Sequence, residues 1–224
     1  MNNTLNGIIF DFNGTLFFDN DKHVKAWSKA AMEIRGTGIT EEELHTHMNG
    51  MPNKMIVRYL NGGKEDASLE DHYSYLKEEY YRDFCREDVE NFHLVKGAEA
   101  LFDDLQANGI PFTIASASIK PNIDFFVESF HLDKWIKPED IVYDDGTYEN
   151  KIAMIHKAAD ILGVPEEKIT VIEDSKSGVN SAIGAGVKDL RLMDSGHIAD
   201  QVSHLSEIHQ IVSDMDQIKR EFMA

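Results

Sequence analysis

Short apolar runs alternate with longer mixed stretches along most of this chain, and their spacing sorts it into elements. Strand-like runs fall at 8–10, 112–115, 141–143, 170–172 and 190–193. Each is an apolar run too short to be an independent helix. Between the later runs the period changes. Residues 97–108 place Leu101, Phe102 and Leu105 on one helical face, with Gly109 as a stop signal. Residues 152–162 carry apolar positions at Ile152, Ile155, Ala159 and Leu162 before Gly163-Val164-Pro165 breaks the pattern. Strands alternating with helices of this length predict βαβ units and a parallel sheet, an α/β fold.

The interval 19–92 reads differently. It holds helical patterns at 21–35, 53–60 and 69–87 and no convincing strand. In the last, Tyr73, Leu76, Tyr80 and Phe84 recur at helical spacing, a stripe expected to be core. The division expected is therefore a core of 1–18 and 93–224 with an inserted all-helical domain of 19–92. The connections near 17–19 and 91–96 are expected to act as hinges.

Chemistry collects at the strand ends. The first run delivers Asp11, then Asn13, Gly14 and Thr15 turn the chain; the second closes on Ser116. Lys151 opens the helix after the third run, and the fourth ends in Glu173-Asp174-Ser175. In an open parallel sheet the carboxyl ends of the strands are where ligands bind. There Asp11 can attack phosphorus as a nucleophile. Asp174, Asp11 and the main-chain carbonyl of Asn13 offer hard oxygen ligands for Mg²⁺, with Glu173 in support. The Ser116 hydroxyl and nearby amides can hold a phosphoryl oxygen, and the Lys151 ammonium can offset charge at the transferring group.

Composition narrows the partners. Forty acidic against 22 basic side chains give a formal charge of −18, which repels nucleic acid and offers no basic cluster to offset it. A phosphate site in such a chain must be made locally positive by a cation and a well-placed lysine. No apolar run approaches a membrane span, and residues 1–7 lack the pattern of a secretory leader. The single cysteine, Cys85, can form no internal disulfide and is expected to be a helix-face residue without a redox role. A cytoplasmic protein is expected, as a monomer or weak dimer.

Asp11-Phe12-Asn13-Gly14-Thr15, Ser116 and Glu173-Asp174-Ser175-x-x-Gly178 together resemble the motifs of the haloacid dehalogenase superfamily. The helical insertion is similar to the cap of its β-phosphoglucomutase and phosphoglycolate phosphatase subgroup, as are 114–118, 172–175 and the His23-x-x-x-Trp27 pair. The resemblance implies a Rossmann-like three-layer core, Mg²⁺, an aspartyl-phosphate intermediate and a small phosphorylated metabolite, foremost a sugar phosphate. It also implies contacts to that metabolite from Gly14, Thr15, Ala117, Ser118, His23 and Lys54.

Three departures stand out. Asn13 occupies the position where the family's second aspartate protonates the leaving group and later activates water; an amide cannot shuttle a proton. The subgroup's Gly-Lys-Pro is missing, and its lysine position falls on Glu149, two residues before Lys151. Where the mutases carry a cap arginine, the chain reads Gly50-Met51-Pro52-Asn53, with Lys54 and Arg58 as stand-ins. Rival readings are a β-phosphoglucomutase-like phosphotransferase with His23 and Lys120 as further phosphate contacts, cleavage of carbon–phosphorus or carbon–halogen bonds, and a phosphometabolite-binding protein that does not turn its ligand over.

Overall fold

The structure is a computed structural model that describes residues 7–222. It divides into two compact units, one ending at Phe18 and resuming at His93, the other Asp19–Phe92. In chain order the elements are β1 (Gly7–Phe10), α1 (Asn20–Arg35), α2 (Glu41–Glu43), α3 (Asn53–Leu60), α4 (Ala67–Glu87), α5 (Ala98–Ala107), β2 (Phe112–Ile119), α6 (Lys120–Phe130), β3 (Val142–Asp144), α7 (Lys151–Leu162), β4 (Ile169–Glu173), α8 (Lys176–Gly184), β5 (Asp189–Met193), α9 (Ala199–Val202), β6 (Ile208–Val212) and α10 (Met215–Phe222).

In the first unit six strands form one sheet in the order β3-β2-β1-β4-β5-β6, and every pairing is parallel. The chain builds outward from β1 through β2 to β3, then returns to the other side of β1 with β4. This reversal makes the β1–β4 boundary the switch point of the sheet, where its crevice opens. The register sets the two strand ends side by side: Phe10 pairs with Ile172, and the Asp11 N–H donates to the Ile172 carbonyl at 2.9 Å. β1 is buried throughout, which is why it reads as an unbroken apolar run.

Both faces of the sheet are covered. On one, Ile9, Ala115, Val142 and Val171 pack with Met154, Ile155, Ala158 and Ala159 of α7 and with Val179 and Ala182 of α8. Phe10 stands edge-on to Phe102 of α5, with ring centroids 5.3 Å apart. Phe12 stacks on Phe126 of α6 at 4.1 Å, and Phe17 lies 5.3 Å from Phe130.

β6 and α6 are additions to the sequence-level elements, and β3 begins one residue later than its apolar run.

The second unit is helical. Trp27, Ala30, Ala31, Met48, Ile56, Val57 and Leu60 form its apolar core. α1 stops where Gly36 adopts φ 78° and its N–H caps the Met32 carbonyl. α2 is entered through a capping box between Thr40 and Glu43 and runs on into a π-turn, Leu44–Met48. α4 corrects the expected stripe. Tyr73, Leu76, Tyr80 and Phe84 are only half-buried, while Glu70, Lys77, Glu78, Tyr81, Arg82 and Cys85 are buried. A polar row can be the buried row because its charges meet partners. Lys77 Nζ lies 2.9 Å from Glu78 Oε1 and 2.8 Å from His23 Nδ1, and Glu78 Oε1 accepts from Asn53 at 2.7 Å. Cys85 lies in the same row; burial pushes its thiol up to about 12, so it is inert at neutral pH.

Candidate active site

The turn after β1 is held by the chain's own backbone. The Phe12 carbonyl accepts from the N–H groups of Thr15, Leu16 and Phe17 at 3.2, 2.8 and 3.1 Å, and the Gly14 N–H donates to Phe17. Phe12, Leu16 and Phe17 are fully buried, so the turn is anchored by packing while Asp11 is presented at the strand end. Gly14 adopts φ 77°, and a Cβ there would stand 2.1 Å from Asp174 Oδ2. Only glycine lets that carboxylate settle against the turn.

β4 contributes Glu173 as its last residue, and Asp174 follows. Glu173 is 1% exposed. Its Oε1 accepts from the Ser175 hydroxyl at 2.8 Å and its Oε2 from the Asp174 N–H at 3.1 Å. Ser175 is also the N-cap of α8, accepting from the Gly178 N–H at 3.0 Å. A side chain at 178 would collide with Glu173, with a Cβ only 1.4 Å from Oε1. The Asp-Ser-x-x-Gly spacing is thus a packing requirement of the buried glutamate.

α7 supplies the cation. Asn150 caps it by accepting from the Ala153 N–H at 3.1 Å, which makes Lys151 the first helical residue. Lys151 Nζ reaches Asp11 Oδ1 at 2.6 Å and Glu173 Oε1 at 3.1 Å. Glu149, the residue at the family's lysine position, is exposed. Asp11, Glu173 and Asp174 each place a carboxylate oxygen within 4.8 Å of the others. With all four groups ionised, three carboxylates and one ammonium leave this buried cluster at −2. Burial, reinforced by the Glu173 charge and opposed by Lys151, accordingly raises the Asp11 carboxyl to about 7. Burial disfavours the Lys151 ammonium, yet Asp11 and Glu173 together hold it above its ordinary value. The oxygen donors of the cluster are those a hard divalent cation takes.

β2 brings the serines. Past a register shift between Ser116 and Ile119, the Ser118 hydroxyl donates to Asn13 Oδ1 at 2.7 Å and the Ser116 hydroxyl approaches the same oxygen at 3.4 Å. The Ser118 N–H donates to Ser116 Oγ at 3.2 Å. Ala117, between them, is exposed. Thr15 is fully buried and its hydroxyl has no hydrogen-bond partner among the described residues.

A model of the haloacid dehalogenase-like hydrolases matches residues 8–191. The chain belongs to that family. Among the family's members, hexitol phosphatase A of Escherichia coli is 24% identical over 224 residues, covering 95% of this chain and 92% of its own. The phosphorylated carbohydrates phosphatase of Thermotoga maritima is 26% identical over 189 residues, covering 82% and 83%. The crystal structure of a family IA, variant 3 hydrolase from Entamoeba histolytica matches with a TM-score of 0.89 at 30% identity, covering 97% and 96%.

In this haloacid dehalogenase-like hydrolase, six residues singled out in the sequence meet through side chains in two groups: Asp11, Lys151 and Glu173, and Asn13 with Ser116 and Ser118; Asp174 lies beside the first. His23 and Lys54 belong to the helical unit. His23 stacks on Tyr81 at 4.1 Å and lies 3.4 Å from Asp19, and Lys54 is exposed and paired with Asp71 at 2.5 Å. Ser175, part of the sequence motif, is the N-cap of α8 and a donor to Glu173, whereas one supporting residue, Ser195, whose hydroxyl reaches Asp174 Oδ2 at 3.4 Å, carries no local signal in the sequence.

Proposed function

We propose that this protein is a Mg²⁺-dependent phosphatase of small phosphorylated metabolites, sugar phosphates foremost, acting through an aspartyl phosphate on Asp11. One observation carries the reading: a buried strand-end aspartate, bonded to a lysine, in a cluster of converging carboxylates. The named activities of the two curated relatives, on hexitol phosphates and on phosphorylated carbohydrates, support the substrate class.

Asp11, Asp174 and the Asn13 main-chain carbonyl would hold Mg²⁺ with Glu173 in support, and the bound ion supplies charge neutralisation for the phosphoryl oxygens. Lys151 keeps Asp11 oriented and its charge partly balanced. Asp11 attacks phosphorus in line as the P–O bond to the leaving group breaks. Water then attacks the phosphorus, releasing phosphate and restoring the carboxylate. The Ser116 hydroxyl and the turn amides are placed as donors to phosphoryl oxygens. The helical unit takes the part of a cap that bears substrate contacts, His23 and Lys54 among them.

The phosphotransferase reading has less support because the cap arginine of the mutases is absent and two of the residues that would stand in for it are already engaged. Arg58 is bonded to Glu65 at 2.6 Å and to Glu70 at 2.8 Å, and Lys120 is paired with Asp124 at 2.5 Å.

The test is phosphate release with Mg²⁺ over a panel of sugar, acyl and aryl phosphates, run beside Asp11→Asn. Turnover by the parent and background rates for a folded Asp11→Asn support the reading. Near-parent turnover in Asp11→Asn removes Asp11 from the mechanism.

A further inference from the structure

Asn13, where the chain departs from its family, is held by two serine hydroxyls. Asn13 Oδ1 accepts from the Ser118 hydroxyl at 2.7 Å, and the Ser116 hydroxyl approaches the same atom at 3.4 Å. Ser118 is itself fixed, since its own N–H is bonded to Ser116 Oγ, and Ser116 is 1% exposed within β2. A carboxamide has two chemically different ends, so a hydroxyl donating to Oδ1 also decides where the two Nδ2–H donors point. A carboxylate has no such distinction, because its two oxygens are equivalent.

We infer that Ser118 is a positioning residue for Asn13: it locks the amide in one orientation, so that position 13 presents hydrogen-bond donors where the family presents an acid. The inference rests on the phosphatase reading for its chemistry and on the two hydrogen bonds for its geometry. In the first half-reaction the Asp11–phosphorus bond forms and the bond from phosphorus to the leaving oxygen breaks. The leaving oxygen takes the electron pair. A fixed N–H donor stabilises the charge that develops there without giving up a proton, and the departing anion takes its proton from water. Such help matters most for basic alkoxide leaving groups and least for phenolates and carboxylates, which need little stabilisation. Ser118 therefore acts on the leaving-group dependence of the reaction, through Asn13.

The experiment is a double-mutant cycle on Ser118→Ala and Asn13→Asp, with Ser118→Thr as the variant that restores a hydroxyl. Ser118→Ala should lower the ratio of alkyl to aryl phosphate turnover by about five-fold, the span of one hydrogen bond, and Ser118→Thr should return it. In the Asn13→Asp background the same substitution should leave that ratio unaltered, because a carboxylate has no orientation to lose. An equal effect in both backgrounds would make Ser118 a substrate contact or a packing residue and overturn the inference. A readout free of turnover runs beside it. The Asn13 side-chain amide resonances, identified by their loss in Asn13→Asp, should move in Ser118→Ala and return in Ser118→Thr. Unmoved resonances overturn the inference even if the phosphatase reading stands, and moved resonances sustain the clamp even if the panel shows no turnover. Intact mass should accompany each preparation, since Asn13-Gly14 is an Asn-Gly pair and deamidation of Asn13 would contaminate the comparison.

Discussion

Two buried clusters of charge in this protein follow opposite rules. At the strand ends of the sheet unit, the carboxylates of Asp11, Glu173 and Asp174 converge, and Lys151 bonds the first two. In the helical unit the charges sit in separate ion pairs, one or two carboxylates to a cation. Lys22 sits between Asp21 and Asp88 at 2.9 and 2.7 Å, Lys77 meets Glu78, and Arg35 and Arg58 meet Glu43 and Glu70. A matched buried pair has its desolvation offset by its partner, and breaking it leaves an uncompensated charge. Converging buried carboxylates are a standing cost to the fold, of the kind found where function needs a ligand.

The largest effect should come from changing the chemistry at the strand ends. Asn13→Asp would restore a proton-transfer group, and turnover of alkyl phosphates should rise by up to ~10²–10⁴-fold, the span of general acid–base help, with aryl and acyl phosphates gaining far less. Initial rates across leaving groups measure this. A uniform gain would mean that Asn13 acts through geometry or metal binding, and no gain would favour a binding protein.

A smaller effect should have opposite sign in the two clusters. Lys77→Met removes the cation from a buried ion pair and should lower Tm by about 5–10 °C. Asp174→Asn removes a charge from the converging carboxylates and, in chelator, should raise Tm by about 2–4 °C. Thermal unfolding of both variants without divalent cations decides it. A destabilised Asp174→Asn would mean that the strand-end charges are already balanced.

Much of this contrast was legible in the sequence on one side only. The central strands are buried on both faces, so their apolar runs are unbroken, and the residues that end them announce the site. β6 stayed hidden because it is an edge strand whose His209 and Gln210 interrupt a half-solvated pattern. The buried row of α4 was misread for a related reason: Lys77, Glu78 and Arg82 look like a solvated face until their partners from α1 and α3 are in place. Lys151 is legible although it lies two residues from the family position, because no other lysine is close; the Asn150 cap then makes it the first residue of α7. The Ser118–Asn13 bond was out of reach. It depends on the irregular register after Ser116, which no local pattern encodes.

The central claim, that the strand-end carboxylates form a cation site, is tested most directly by calorimetric titration with Mg²⁺ between pH 6 and 8. The comparison is between the parent, Asp174→Asn and Asp71→Asn, the last an equal charge change at an exposed pair. Asp11 carries a raised pKa of about 7, and a metal ligand must be deprotonated. Parent affinity should therefore plateau above pH 7 and fall as the pH drops below it, while without the ion the penalty of ionising Asp11 grows as pH rises from its ordinary value of 3.8 to about 7 and is constant above that. The account predicts one site in the parent and in Asp71→Asn, with affinity lost by about 10–100-fold in Asp174→Asn. Equal, pH-independent binding by all three proteins would contradict it.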